Sequence, residues 1–449
     1  MSVPLEQRMR ELLRARRSAA ASPDPARPPA PRPSTVPDRL GAAADQLGGV
    51  VGDTPHGPTL VVERFYPADH WHGLVRVGDL QGCGLAASPG LALLGATPEP
   101  EPGPPRPLLF VDLETTGIAG GAGTYAFLVG CARFEPHGFR VSQFFLPTYQ
   151  QERPLLALVD ALVRRAAGLV TYNGRTFDVP VLETRFQFNR VPPPFAGLAH
   201  VDMLHPARRL WRGAAGAPGA WPQTDSCRLI ALERVLFGVR RIGDVPGFEI
   251  PGRYFEFMRS GNALPLEPVM EHNRLDLLSL AVMTARALRL LTDAPAASAS
   301  ARESLGSGAL LARAGRHDLA ERCYRDAAER ARYERGPDAV QVRAEALRAL
   351  ALGWRRAGRF AEAADAWQAI AGDRWAPATI RREALEALAI HHEHRSRDLG
   401  EARRFAQLSL AERVGTRWMD AGRHRLARLD RKLGRETGPR APGPLLPSA

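Results

Sequence analysis

The stretch F-V-D-L-E-T-T-G, Phe110 to Gly117, carries an apolar run into two carboxylates and then into a small polar turn. Leu108 to Val111 has the composition of a buried strand, and side chains two apart on a strand share a face. Asp112 and Glu114 therefore project together from the strand end. Like charges held close repel, and a divalent cation between them is the simplest way to keep both ionised. A bare D-x-E is common on solvated edges. This pair ends an apolar strand and runs straight into T-T-G, so it reads as a site.

The surrounding pattern predicts an α/β domain with a mixed sheet and flanking helices. Strands are expected over 125–134 and 139–146, joined at Pro136, His137 and Gly138. Apolar residues at helical spacing follow over 155–163. A short strand over 168–172 ends in Asn173-Gly174, and a helix is expected to begin near Asp178, with Pro180 tolerated in its first turn. Two more segments bear on the chemistry: Y-N-G-R-T-F-D, Tyr172 to Asp178, and E-H-N-R-L-D, Glu271 to Asp276. His272 and Asp276 lie four apart, on one helical face. Alone, Asp178 reads as a helix cap and Asp276 as a solvated helix residue. With D-x-E, the three segments supply four carboxylates and one histidine.

These motifs carry a resemblance. Over roughly 105–291 the chain is similar to the DEDD exonucleases, the DnaQ-like branch of the ribonuclease H-like superfamily, and it looks most like the YprB-type bacterial proteins. H-V-D-M-L-H-P-A-R-R-L-W and R-I-G-D-V-P-G add to the likeness. The resemblance implies a ribonuclease H-like fold and 3′–5′ hydrolysis of single-stranded nucleic acid. It implies catalytic roles for Asp112, Glu114, Asp178, His272 and Asp276. The four acids would hold two Mg2+ or Mn2+ ions, with Asp112 bridging them, and His272 would orient or deprotonate the attacking water. One feature departs from the pattern. Three residues separate His272 from Asp276, the spacing of the tyrosine branch, whereas four separate the pair in the histidine branch. Thr115, Asn173, Phe177, Arg208 and Arg209 are the expected substrate contacts. Asn173 is assigned to the second-motif turn or the nucleic-acid backbone, and Phe177 to the core before a stacking platform. Arg208, Arg209 and Arg212 beside Trp211 could equally bind a single strand or form a solvated helix face over a buried tryptophan.

The whole chain is longer than one core usually serves, at 449 residues, and the formal charge of +12 favours a phosphate-bearing partner. Arginine supplies nearly all the positive charge. Cys83, Cys131, Cys227 and Cys323 lie far apart without metal-site spacing, which points to a reducing, cytoplasmic setting. No apolar run reaches the roughly 18 residues of a membrane span. The N-terminal residues read as a short surface helix, and 22–37 as a proline-rich linker, within a disordered segment over 1–45. An extension with weak strand character and a second proline-rich linker fills 46–104. In it His70 and His72 flank Trp71, with no third metal ligand nearby.

The α/β domain is expected over 105–293. A helical-repeat domain follows over 302–433, and a disordered tail over 434–449. Gly315, Ala320 and Tyr324 recur as Gly358, Ala363 and Trp367, 43 residues later, with a degenerate third copy at Ala402 and Ala406. This resembles tetratricopeptide-type hairpins with a long repeat. Such an array would recruit a protein partner or hold the substrate. The rival expectation is a non-catalytic nucleic-acid-binding or scaffold protein that works through those helices.

Overall fold

The computed structural model describes residues 36–81, 90–95, 106–117, 121, 123–212, 227–412 and 417–437. Its centre is strand β5 (Leu108–Thr115), whose alternation divides the sheet faces. Leu108 and Phe110 enter one buried cluster, while Leu109, Val111 and Leu113 enter another. Asp112 and Glu114 continue the face of Leu108 and Phe110, so the apolar face turns acidic within one strand.

The other strands are β1 (Val50–Thr54), β2 (Gly57–Pro67), β3 (Trp71–His72), β4 (Val75–Arg76), β6 (Ala126–Glu135), β7 (Gly138–Phe145), β8 (Gly168–Thr171) and β9 (Ala199–Asp202). Seven form one sheet in the order β1-β2-β7-β6-β5-β8-β9; β3 and β4 pair separately. β5 is antiparallel to β6 and parallel to β8, and β8 is parallel to β9. The β5–β8 pairing stops at Phe110 and Val170. Beyond that point β5 and β8 are no longer paired, at the C-terminal end of the parallel strands, the usual place for a ligand in such a sheet.

The helices are α1 (Val36–Leu47), α2 (Val77–Gln81), α3 (Gly90–Leu93), α4 (Glu152–Val163), α5 (Asp178–Phe188), α6 (Leu204–Leu210), α7 (Leu229–Phe237), α8 (Ile250–Ser260) and α9 (Glu267–Thr292). α4, α5 and α8 bury Val159, Leu182 and Phe257 in the cluster on the Val111 face. α9 lies on the opposite face and buries Leu277, Leu280 and Leu288 there. Pro268 sits in its first turn, where no intrahelical donor is required.

The rest of the chain is helical: α10 (Ala301–Arg313), α11 (His317–Tyr333), α12 (Pro337–Arg356), α13 (Phe360–Ala371), α14 (Ala378–His391), α15 (Leu399–Ala411) and α16 (Arg417–Thr437). Gly315 and Gly358 occupy equivalent left-handed turns, with φ of 73° and 77°. Each is followed by a helix that buries its small residue, Ala320 or Ala363. Glu393, in a short π-helical turn (His392–Ser396), is ion-paired by Arg425, Arg428 and Lys432 of the last helix.

The strands and helices expected from 125 to 188 appear within a few residues of their anticipated bounds. Two expected boundaries differ. The extension over 46–104 does not stand apart, because β2 pairs with β7 from Leu60↔Phe145 to Pro67↔Gly138 and extends the main sheet. The disorder expected up to residue 45 also ends too late. Leu40, Ala43 and Ala44 of α1 are buried, since their spacing gives that helix an apolar stripe with a core to cover. The tail expected from 434 begins later, since α16 runs to Thr437, and the expectations for the first 35 residues, for 98–105 and beyond 437 lie outside the described residues.

Candidate active site

The site forms where the acidic end of β5 meets α9. A register shift at Glu114 and Thr115, against Leu128 and Ala126 of β6, marks the strand end beside the carboxylates. Asp112 pairs with Gly130 of β6, and Gly130 with Gln143 of β7. α9 lays Asn273 over that ladder. A Cβ on Gly130 would stand 2.2 Å from Asn273 Oδ1, so this close approach requires glycine. Asn273 Nδ2 donates to Asp112 Oδ2 at 2.8 Å, and Gln143 Nε2 donates to Asn273 Oδ1 at 2.9 Å. Gln143 and Asn273 are both fully buried, and this chain of bonds sets the orientation of Asp112.

The second motif forms the turn between β8 and α5. Asn173 is left-handed, with φ of 66°, a conformation asparagine tolerates better than most residues. Its side-chain oxygen accepts from Thr176 Oγ1 at 3.0 Å. Asp202, at the end of β9, accepts from the backbone N–H groups of Asn173 at 2.8 Å and Arg175 at 3.1 Å. The turn thereby delivers Asp178 to the start of α5, where it is buried next to β5.

A third set of groups, mostly unanticipated, surrounds the late helix. Arg241 holds Glu233 through two bonds, Nε to Oε1 at 2.7 Å and Nη2 to Oε2 at 2.8 Å. Its Nη2 also donates to Asp276 Oδ1 at 2.5 Å. Asp244 Oδ1 lies 2.6 Å from His272 Nδ1, and His272 Nε2 lies 3.5 Å from Asp276 Oδ2. Glu233 further accepts from Ser279 Oγ at 2.5 Å, and Ser279 contacts His72 Nε2 at 2.8 Å. His72 thus belongs to a buried polar chain on α9, and not to a metal site with His70. Burial, reinforced by the positive charge of Arg241, lowers its pKa to about 4.

Electrostatics tie these groups into one site. Burial raises the Asp112 carboxyl well above the ordinary carboxylate range, and the charges of Asp276, Glu114 and Asp178 push it further. Glu114 is likewise raised by burial first and then by the charges of Asp276, Asp178 and Asp244, with Arg241 opposing. Burial pushes Asp178 up to about 7, against the pull of its own N–H and that of Leu113. Four buried or half-buried oxygen donors that repel one another suit a hard divalent cation. The donor set fits one. Among the described residues, however, no three His, Cys, Asp or Glu side chains stand in a ready-made coordination shell. Arg241 holds one oxygen of Asp276 and Asn273 holds one of Asp112, so the acids are gathered and individually restrained.

The expected substrate contacts divide. Thr115 is buried, and its hydroxyl donates to the Gly117 carbonyl at 2.9 Å, closing the turn. Phe177 packs partly buried against the core of the Val111 face, just ahead of Asp178. Arg208 and Arg209 are exposed on α6, a helix whose backbone at Arg209 is met closely by Gly306 of α10. Trp211 is 1% exposed and donates Nε1–H to Glu303 Oε1 at 2.9 Å, so it is a packing residue and not a stacking platform. Asn273, Gln143, Asp202, Arg241 and Glu233 were not anticipated. Arg241 lies in the R-I-G-D-V-P-G segment, Asp202 in H-V-D-M-L-H-P-A-R-R-L-W and Asn273 inside E-H-N-R-L-D, so signals were present for three of them.

Residues 109–288 match the RNase H superfamily. The chain is also 30% identical over 379 residues to protein YprB of Bacillus subtilis (strain 168), a match covering 83% of this chain and 86% of that protein. The similarity therefore extends through most of both chains, beyond the sheet and into the helical part.

Proposed function

This chain belongs to the RNase H superfamily, in one family with YprB, and on that premise we propose that it is a metal-dependent 3′–5′ exonuclease acting on single-stranded nucleic acid. The observation that carries the reading is the gathering of Asp112, Glu114, Asp178 and Asp276 beyond the last β5–β8 pair, three of them with raised carboxyls. A protein that had left catalysis behind would gain stability by losing such mutually repelling acids.

Asp112, Glu114, Asp178 and Asp276 would hold the ions. When bound, two Mg2+ or Mn2+ ions would make a water more acidic and offset the charge that builds on the phosphate. His272 takes the attacking water's proton at Nε2. The water oxygen bonds to phosphorus, the P–O3′ bond breaks, and the departing 3′ oxygen acquires a proton from solvent. Asn273 holds Asp112 in a fixed orientation, and the Asp202-braced turn holds the start of α5 that carries Asp178. The net charge of +12 favours a polyanionic substrate. The helical hairpins of α10 to α16, taken as a tetratricopeptide-like array, would recruit a partner or hold the strand.

The test is cleavage of end-labelled single-stranded DNA and RNA with Mg2+ or Mn2+, beside Asp112→Ala. A ladder shortening from the 3′ end and lost in the variant is the expected result. Absence of cleavage with both strands and both metals would overturn the reading in favour of a scaffold acting through the helices.

A further inference from the structure

We propose that Asp244 is a positioning residue for His272, fixing the tautomer and direction of the imidazole. The proposal rests on the nuclease reading for the role of His272, but the pairing itself stands on geometry. Asp244 lies between α7 and α8, outside the three carboxylate motifs. Its Oδ1 is 2.6 Å from His272 Nδ1 and also accepts the Val245 N–H at 3.0 Å. Its Oδ2 faces Arg241 Nη1 at 3.6 Å.

Arg241 returns to Asp276, and Asp276 to His272, so Asp244, His272, Asp276 and Arg241 form a closed ring. The ring is anchored from behind. The Arg241 side chain is 3% exposed and is clamped by Glu233, at 1%. An ionised carboxylate only accepts, so the proton of a neutral His272 resides on Nδ1 and Nε2 is left as the basic nitrogen. Nε2 is 3.5 Å from Asp276 Oδ2, beyond a good hydrogen bond, so that lone pair remains available on the side of the acids. Without Asp244 the proton is free to move to Nε2. There it would point at Asp276 and remove both the base and one carboxylate oxygen from use. The unusual three-residue gap between His272 and Asp276 thus has a structural counterpart: the ring is oriented by a carboxylate from another element.

The experiment compares full-length wild type, Asp244→Ala, Asp244→Asn, His272→Ala and the Asp244→Ala/His272→Ala double variant. Tautomer state is read by 15N NMR of the histidines in metal-free protein, with His272→Ala assigning the signal. The expected wild-type state is Nδ1–H, lost in Asp244→Ala. Cleavage by Asp244→Ala should fall about 10–100-fold, the range for residues that orient a functional group. Asp244→Asn, which keeps an acceptor oxygen, should recover part of it. The double variant should be no slower than His272→Ala within about twofold, because the two residues act as one unit. An unchanged tautomer in Asp244→Ala, or losses that multiply in the double variant, would overturn the proposal. If wild type cleaves nothing, the nuclease reading fails, while the NMR signal still decides whether Asp244 sets the tautomer.

Discussion

Asn273 and Asp112 are joined side chain to side chain at 2.8 Å, across the narrow gap where α9 crosses β6 at Gly130. The first acid of the site therefore has an orientation set by the late helix before any ligand arrives.

Gly130→Ala should break this relationship. The new Cβ would meet the Asn273 amide at 2.2 Å, so the helix or the amide has to move. Overpacking of this kind costs about 1–3 kcal/mol. A lowered denaturation midpoint with reduced cleavage is expected; a variant indistinguishable from wild type in both would show that the approach is not tight.

Replacing an acid should separate stability from activity. Asp112→Asn relieves repulsion from Asp276, Glu114 and Asp178, so metal-free protein should melt higher, by roughly 2–4 °C for about 1 kcal/mol. Mn2+ should raise the melting temperature of wild type and leave the variant nearly unmoved. Equal stabilisation of both by Mn2+ would remove Asp112 from the metal site.

His72 makes stability fall in mild acid. Its folded pKa, about 4, lies below the unfolded value near 6.5, so the unfolded chain takes up the proton first. The contribution is complete above pH 6.5 and is lost as pH falls toward 4, about 3 kcal/mol over the window. His72→Gln, which can still bond Ser279, should flatten that part of the profile in urea titrations. Parallel profiles for the two proteins would refute the assignment.

Glu393 should be required for docking of the last helix. Desolvation works against its charge, but bonds from Arg428 and Lys432 bring its pKa down to about 2. Glu393→Ala leaves Arg425, Arg428 and Lys432 without their shared acceptor; Arg428 and Lys432 are about half exposed and can rehydrate, so the loss is expected to be about 1–3 kcal/mol. Early proteolytic cutting within 417–437 is the expected sign, and unchanged digestion would contradict it.

Much of this site was legible because it depends on local periodicity. Strand alternation puts Asp112 and Glu114 on one face, and helix spacing pairs His272 with Asp276. The supporting groups depend on tertiary approach, which periodicity does not encode. Gln143 and Gly130 matter only because β5, β6 and β7 align in register under α9. Arg241 and Asp244 act across a loop from their partners. The same limit explains the misplaced sheet edge: β2 has modest strand character alone and gains its place by pairing with β7. Trp211 beside three arginines fits a binding surface and a buried ring equally well in sequence, and the packing of α6 against α10 decides for the buried ring.

α9 is one uninterrupted rod of 26 residues, and its two halves serve different neighbours. Asp276 is the tenth residue of the helix. Arg286, ten residues on and about 15 Å along the axis, grips Glu303 of α10 at 2.7 Å. Glu303 also accepts from Trp211, so it ties α10 both to α9 and to the end of α6. A stiff rod transmits tilt with little loss. A tilt of the helical array would therefore be carried along α9 to the turn that holds Asp276, so the two parts of the molecule are mechanically joined through one helix.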